Sequence, residues 1–276
     1  MVANMEIACI GNELLIGKVV NTNASWLGKR VTSMGVSVKR ITVGPDNVQE
    51  MAKIFREILA RNSQFLIITG GLGPTFDDKT LEGVAKALNR KLAVDEVALA
   101  MVKAKYQEYS KTKNTLEADM SPARVKMALL PEGSKPLVNP IGTAPGVRID
   151  VDSTVVICLP GVPAEMEAIF DQSVTPLLRE AAGDTVFYEL SIYADNIVES
   201  VLAPLIDKAM HDNPGVYIKS HPKGRENLPH MELHLSILGK HSESPQELLR
   251  RTSLQLCGLI ETSGGKVVKA QTQQTV

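Results

Sequence analysis

Two adjacent carboxylates, Asp77 and Asp78, follow a turn that contains Gly70, Gly71 and Gly73. Glycine lets a backbone approach a ligand closely and turn where φ is positive. A helix beginning near Asp78 would offer unpaired N–H groups to an anion. Carboxylates beside a bound phosphate repel it unless a cation lies between. Magnesium is commonly held that way, by one or two carboxylates together with substrate phosphates. The stretch therefore fits a metal–nucleotide site. It fits equally a plain helix cap with no ligand at all. Glu13, Asp46 and Glu165 occupy comparable places, each shortly after an apolar, strand-like run. Either they face one crevice with Asp78, or each stabilises its own helix N-terminus.

The elements that must position these residues are legible in the apolar pattern. Phe65–Thr69 is a short apolar run closed by glycines, which suits a central parallel strand. Met5–Gly11 and Thr154–Leu159 end alike, the second in Pro160-Gly161-Val162-Pro163. Between them Trp26, Leu27 and Val31, then Met51, Phe55 and Ile58, recur at helical spacing, with Asn21 or Asn23 as a candidate N-cap of the first helix. Such alternation predicts βαβ units and a parallel sheet whose strand ends share one edge, where open α/β folds bind ligands. Gly11, Gly70, Gly71 and Gly161 are expected on that edge. Pro140–Gly146 reads as a firm loop, and Val147–Ile149 with Thr154–Leu159 as a hairpin-linked pair.

The character changes after Pro176. Val186–Tyr193, Gly215–Ser220 and Met231–Leu238 read as strands, Ala194–Met210 and Pro245–Gly258 as helices, and Ala270–Val276 as a frayed tail. The expected fold is a three-layer α/β/α domain over residues 1–175 and a small α+β domain over 176–276. His221, His230, His234 and His241 do not fall at metal-ligand spacing.

The 276-residue chain is 44% hydrophobic with a net charge of −1, so it has a real core but no basic field to gather nucleic acid. Its three cysteines are far apart, and Cys9 and Cys158 lie in apolar runs that suit buried thiols. No apolar run long enough to span a membrane and no signal-like start is present, so a cytoplasmic protein is expected.

Four motifs in this order resemble the CinA competence/damage-inducible family. They are Gly11-Asn-Glu-Leu-Leu-Ile-Gly17 with Asn21 and Asn23, Thr69-Gly-Gly-Leu-Gly-Pro-Thr75 with Asp77-Asp78, Asn139-Pro-Ile-Gly-Thr-Ala-Pro-Gly146, and Leu159-Pro-Gly-Val-Pro163 with Glu165. The match, over about residues 5–170, is to the N-terminal molybdopterin-binding-like (MoaB/MogA-like) domain of that family. The segment from Val186 resembles its KH-like module. The chain leaves no room for the family's amidohydrolase domain, so deamidase activity is not expected. It departs from the family pattern at Arg124-Val-Lys-Met127, where Lys126 alone matches, and at Pro45, which precedes Asp46.

The resemblance implies a metal-dependent pyrophosphatase that cleaves ADP-ribose or related compounds and forms a homodimer. It also implies a divalent metal (Mg, Mn or Co), with K+ as a further candidate. Asp78 is the first choice of metal ligand, assisted by Asp77 or Glu13. Gly70, Gly71, Gly73 and Thr75 would bind phosphate, and Lys126 would pair with one. The motifs also carry Gly11, Asn12, Asn21, Asn23, Asp46 and Asn139 as nucleotide contacts. Gly142, Ala144, Pro145 and Gly146, with Pro160 and Gly161, would shape the adenosine pocket. Glu165 or the metal would activate water. Adenylyl transfer in molybdenum cofactor biosynthesis would use the same aspartates. A non-catalytic binding protein is the third reading, although the small module lacks the Gly-x-x-Gly loop with which KH modules clamp RNA.

Overall fold

The computed structural model describes residues 2–113, 119–223 and 230–273. They divide into two compact units. The larger comprises Ala3–Arg30 and Val38–Glu180; the smaller gathers Val31–Ser37 with the chain from Ala181 onward.

The larger unit begins β1 (Asn4–Ile10), α1 (Asn12–Leu15), α2 (Thr22–Ser33), β2 (Ser37–Gly44), α3 (Val48–Leu59) and β3 (Phe65–Thr69). It continues through α4 (Thr80–Ala87), β4 (Leu92–Val94), α5 (Glu96–Lys113), α6 (Pro122–Lys126), β5 (Leu129–Pro131) and β6 (Lys135–Leu137). β7 (Gly146–Val151), β8 (Thr154–Leu159), α7 (Pro163–Ile169), one π-helical turn (Phe170–Val174) and α8 (Thr175–Ala182) complete it. Six strands form one sheet in the order β2-β1-β3-β8-β7-β6. β3 lies between β1 and β8 and runs parallel to both, while β7 is antiparallel to β8 and to β6. All five residues of β3 are buried, so both faces of the sheet are covered there. On one face Ala8, Ile10, Leu66, Ile68, Val156 and Cys158 pack with Met51 and Phe55 of α3, Val84 of α4 and Val102 of α5. Strand alternation sends Ile7, Ile67 and Ile157, also buried, to the other face. That leaves α2, α7 and α8, with buried Leu27, Met166, Ile169 and Leu178, as its cover. The result is the expected α/β/α sandwich with a parallel-rich centre.

The smaller unit contains β9 (Thr185–Asp195), α9 (Glu199–Asp212), β10 (Val216–Pro222), β11 (His230–Lys240), α10 (Pro245–Thr262) and β12 (Lys266–Gln273). Its antiparallel sheet runs β10-β11-β9-β12. Leu190 and Ile192 of β9, with Leu233 and Leu235 of β11, bury one face under Leu202 of α9 and Leu256 and Ile260 of α10. The expected tail is corrected in part: residues 270–273 belong to β12, paired with β9, while 274–276 lie outside the described residues. Lys111–Met120, which reads from its few apolar residues as a surface connection, and Pro222-Lys-Gly224, which reads as a basic turn, lie partly outside the described residues, at 114–118 and from 224.

Candidate functional site

The parallel register sets Cys9, Thr69 and Leu159 side by side, so the turns that follow β1, β3 and β8 open at one edge. The Gly70 N–H donates to Leu159 O at 3.1 Å and the Gly11 N–H to Gly44 O at 3.1 Å. Gly70 adopts φ +103°, and a Cβ there would stand 2.2 Å from the Ile10 carbonyl oxygen. A Cβ on Gly161 would meet the Gly70 Cα at 3.3 Å. Gly70 therefore has to be glycine, and a side chain at Gly161 would push the two turns apart by a few tenths of an ångström. Thr80, fully buried, ties the floor to α4: its hydroxyl donates to Gly70 O at 2.7 Å and its N–H to Gly71 O at 3.2 Å.

Above this floor lies a cleft of about 300 Å3. Of the residues expected from sequence, Gly11, Glu13, Asn21, Asn23 and Asp46 line it from the β1 and β2 side. Gly70, Gly71, Asp77, Asp78 and Gly161 line it from the β3 and β8 side. Four carboxylates thus face one space, and no Lys, Arg or His is among the described lining residues.

Hydrogen bonds fix each wall. Asn21 is the N-cap of α2, accepting from the Ala24 N–H at 3.0 Å. Asn23 Nδ2 donates to Thr69 Oγ1 at 3.1 Å and to Gly161 O at 2.8 Å. Because the Thr69 hydroxyl spends its hydrogen on Pro160 O, at 3.0 Å, both contacts need a donor and the amide orientation of Asn23 is fixed. Its Oδ1 is left buried with no hydrogen-bond partner. Asn12 and Asp46 lock the loops after β1 and β2 together, the Asn12 N–H donating to Asp46 Oδ2 at 2.8 Å and the Asp46 N–H to Asn12 Oδ1 at 3.3 Å.

The helix-cap alternative for Asp77 and Asp78 is corrected here. α4 starts at Thr80 with Lys79 in the cap position and no side-chain cap bond. Asp78 instead closes the loop before it, its Oδ2 accepting from the Thr75 N–H at 2.8 Å and lying 2.5 Å from Thr75 Oγ1. Asp77 Oδ1 stands 2.5 Å from the same hydroxyl. One hydrogen serves two carboxylates, so three hard oxygens converge with a deficit of positive charge. The Thr75 hydroxyl bond, then a backbone bond at Asp77 and the charges of Lys126 and Lys79, hold the Asp77 carboxyl below its usual range. The helix whose N-terminus opens into the cleft is α2, which has no acidic residue in its first turn.

Other expected residues stand apart from the cleft lining. Lys126 donates to Thr75 O, and with Gly73 and Asp78 it lines a smaller adjoining hollow. Asn139, Gly142 and Pro145 line a separate cavity of about 190 Å3 beside α5. Ala144 and Gly146 are buried next to it. Asn139 organises that loop, accepting from the Gly142 N–H at 2.7 Å and donating to Ala144 O at 2.8 Å and to Glu165 Oε2 at 2.7 Å. The Glu165 carboxylate fills the space a side chain at Gly142 would need, a Cβ there falling 1.9 Å from its Oε2. Pro160 contributes its carbonyl to Thr69.

Sequence reasoning missed Cys9, Thr69 and Thr80. Cys9 lines the cleft although almost fully buried; burial pushes its thiol up, while a hydrogen bond with Asn21 acts the other way. Among the described residues no group of three or more His, Cys, Asp or Glu is placed to hold a metal ion. No described helix is long and apolar enough to cross a membrane.

A family model described as a probable molybdopterin binding domain matches residues 6–180. A protein of Metallosphaera sedula is 40% identical over 272 residues, 98% of this chain and 99% of the relative. One of Aeropyrum pernix is 47% identical over 220 residues, 80% of this chain and 79% of its own length. A solved structure of the protein CinA, with unknown function, from Thermoplasma acidophilum is 43% identical, with a TM-score of 0.58 over 64% of this chain and 98% of that one.

Proposed function

The chain belongs to the family of the probable molybdopterin binding domain, and from that premise we propose that its cleft binds a nucleotide or molybdopterin-like phosphate compound and cleaves the pyrophosphate of ADP-ribose or a related nucleotide with a divalent metal. One observation carries the reading: a glycine-floored cleft at the N-terminus of α2 presents four carboxylates and, among its described lining residues, no basic side chain. A phosphate ester entering there needs a cation with it. Thr75 Oγ1, Asp77 Oδ1 and Asp78 Oδ2 are the hard oxygen donors that magnesium, manganese or cobalt takes, the remaining positions falling to phosphate and water. When bound, such an ion neutralises the phosphoryl oxygens and lowers the pKa of its water.

The chain's own residues then bind and orient. Gly70, Gly71 and Gly161 let phosphate approach the backbone, and the first turn of α2 turns its N–H groups toward it. Asp77, kept charged by its Thr75 bond, stays in the form that holds a cation; a carboxyl lowered in this way is a weak base and is not assigned the proton of the attacking water. Asn23 Oδ1, without a partner, accepts from a hydroxyl or amine of the ligand. Lys126 and Asn139–Glu165 hold the two flanking loops. The description of the family favours a second reading, adenylyl transfer in molybdenum cofactor biosynthesis, which would use the same aspartates.

The test is Asp78→Asn. Asn keeps an acceptor for the Thr75 N–H but loses the charge that holds a cation. Metal-dependent conversion of ADP-ribose to AMP and ribose 5-phosphate is expected to fall about a thousandfold, with a stability loss of about 1 kcal/mol. Equal turnover in the two proteins removes Asp78 from the site. Absence of turnover in the native protein, with AMP transferred from ATP to molybdopterin, selects the second reading.

A further inference from the structure

Three carboxylates of the chain rest where the missing side chain of a glycine leaves them room. A Cβ on Gly73 would stand 2.7 Å from Asp78 Oδ2, and one on Gly142 would overlap the Glu165 carboxylate. The third is Glu13, folded back over Gly11, where a Cβ would overlap its Oε1 and stand 2.7 Å from its Oε2. Gly11 has φ 164° and ψ 127°, extended backbone that any residue adopts, so the space and not the conformation asks for glycine. The three differ in what holds them. Asp78 accepts from Thr75, and Glu165 from Asn139. The Glu13 carboxylate has no hydrogen-bond or ion-pair partner among the described residues, and α1 has no side-chain cap bond. Glu13 is nonetheless an exposed residue of the cleft lining.

The other carboxylates of the cleft are committed to their loops. Asp46 Oδ2 accepts from the Asn12 N–H at 2.8 Å, and Asp77 and Asp78 share the Thr75 hydroxyl. Glu13 does not complete their set: although four carboxylates line one cleft, no three of the described His, Cys, Asp or Glu come together to hold one ion. We infer that Glu13 is the catalytic base of the cleft, taking a proton from the water that attacks the pyrophosphate. This rests on the reading of the cleft as a nucleotide pyrophosphatase. In that step the water oxygen bonds to phosphorus, and the bond from phosphorus to the bridging oxygen breaks. The departing phosphate carries away the electron pair of that bond and needs no acid. One proton of the water goes to Glu13 and then to solvent; the other stays on the product. Gly11 belongs to the same device, since its bare Cα is what lets the carboxylate lie over the end of β1. In adenylyl transfer the nucleophile is a phosphate oxygen with no proton to remove, so a base at Glu13 also separates the two readings of the cleft.

The experiment uses the full chain with ADP-ribose and magnesium. Glu13→Gln keeps the size of the side chain and removes the base; kcat is expected to fall about a hundredfold or more, with KM held within about twofold. Manganese binding without substrate, followed by calorimetry, should be the same in the variant and the native protein, which a metal ligand at this position would not allow. Gly11→Ala tests the seat of the carboxylate. Its Cβ displaces only the flexible end of a side chain, so the melting temperature should stay close to native while kcat falls as in Glu13→Gln. The double variant should lose no more than either single one, because both remove the same group. Native kcat in Glu13→Gln, a loss of manganese binding there, or losses that add in the double variant overturn the inference while Asp78→Asn still tests the cleft. Absence of ADP-ribose turnover in the native protein overturns both.

Discussion

At the scale of single residues, the cleft depends on backbone approach more than on any side chain. Gly70 combines a left-handed φ of +103° with a Cβ position 2.2 Å from the Ile10 carbonyl. The obstacle is main chain at the end of β1, an inner strand paired on both sides, so it cannot swing aside. Gly70→Ala is expected to cost about 2–5 kcal/mol, the strained φ and the forced displacement each contributing. Gly17 supplies the control. Its φ is also positive, at +69°, yet nothing lies within 4 Å of its Cβ position. Gly17→Ala should therefore cost only about 1–2 kcal/mol. Urea midpoints of the two variants check the difference; equal losses would mean that φ alone, not the contact with Ile10, demands glycine at Gly70.

At the scale of elements, the sequence discloses whatever is encoded by local period and hides whatever is encoded by pairing. β1, β3 and β8 are legible because each is an apolar run closed by a glycine or proline turn, and their shared edge follows from the parallel order. β12 is not legible. Lys266–Gln273 is polar, and a register shift between Val267 and Lys269 breaks its alternation, so only its backbone pairing with β9 defines it. The start of α4 moves from Asp78 to Thr80 because Thr80 reaches back to Gly70 while Asp78 folds onto Thr75. That Thr75–Asp78 turn is local and could have been read; the Asn139–Glu165 bond joins residues 26 positions apart and could not.

Pairing also sets a pH response in the smaller unit. Glu232 of β11 accepts from Ser191 Oγ of β9 at 2.9 Å and, through its carboxylate, from Lys223 at 3.1 Å and Tyr193 OH at 3.2 Å. The Ser191 bond, then Lys223 and Tyr193, holds its carboxyl below the usual glutamate range. A depressed folded pKa contributes stability above the unfolded value, about 4.3, which is lost as the pH falls through the folded value. Glu232→Gln should lower the melting temperature at pH 7, and the gap to the native protein should close below about pH 4. A gap that persists unchanged at pH 3 would assign the loss to packing.

At the scale of the whole molecule, charge is balanced overall and unbalanced at the cleft. Thirty basic and 31 acidic residues leave a net charge of −1, so no long-range field draws anions in. Locally, Glu13, Asp46, Asp77 and Asp78 line the cleft with no basic residue among the described lining. These two facts fix the sign of a salt effect. With divalent ions chelated, an anionic ligand such as ADP-ribose meets like charge, and raising NaCl from about 0.05 to 0.5 M shortens the screening length from about 14 to 4 Å. Weak binding should then become tighter with salt. With magnesium present, attraction runs through the cation, and the same rise in salt should loosen binding. Calorimetric titration of ADP-ribose at both salt concentrations, with EDTA and with magnesium, reads the inversion directly. Binding that loosens with salt under EDTA would show that basic groups, not a cation held by the carboxylates, receive the phosphates, and the metal-dependent reading of the cleft would fall with it.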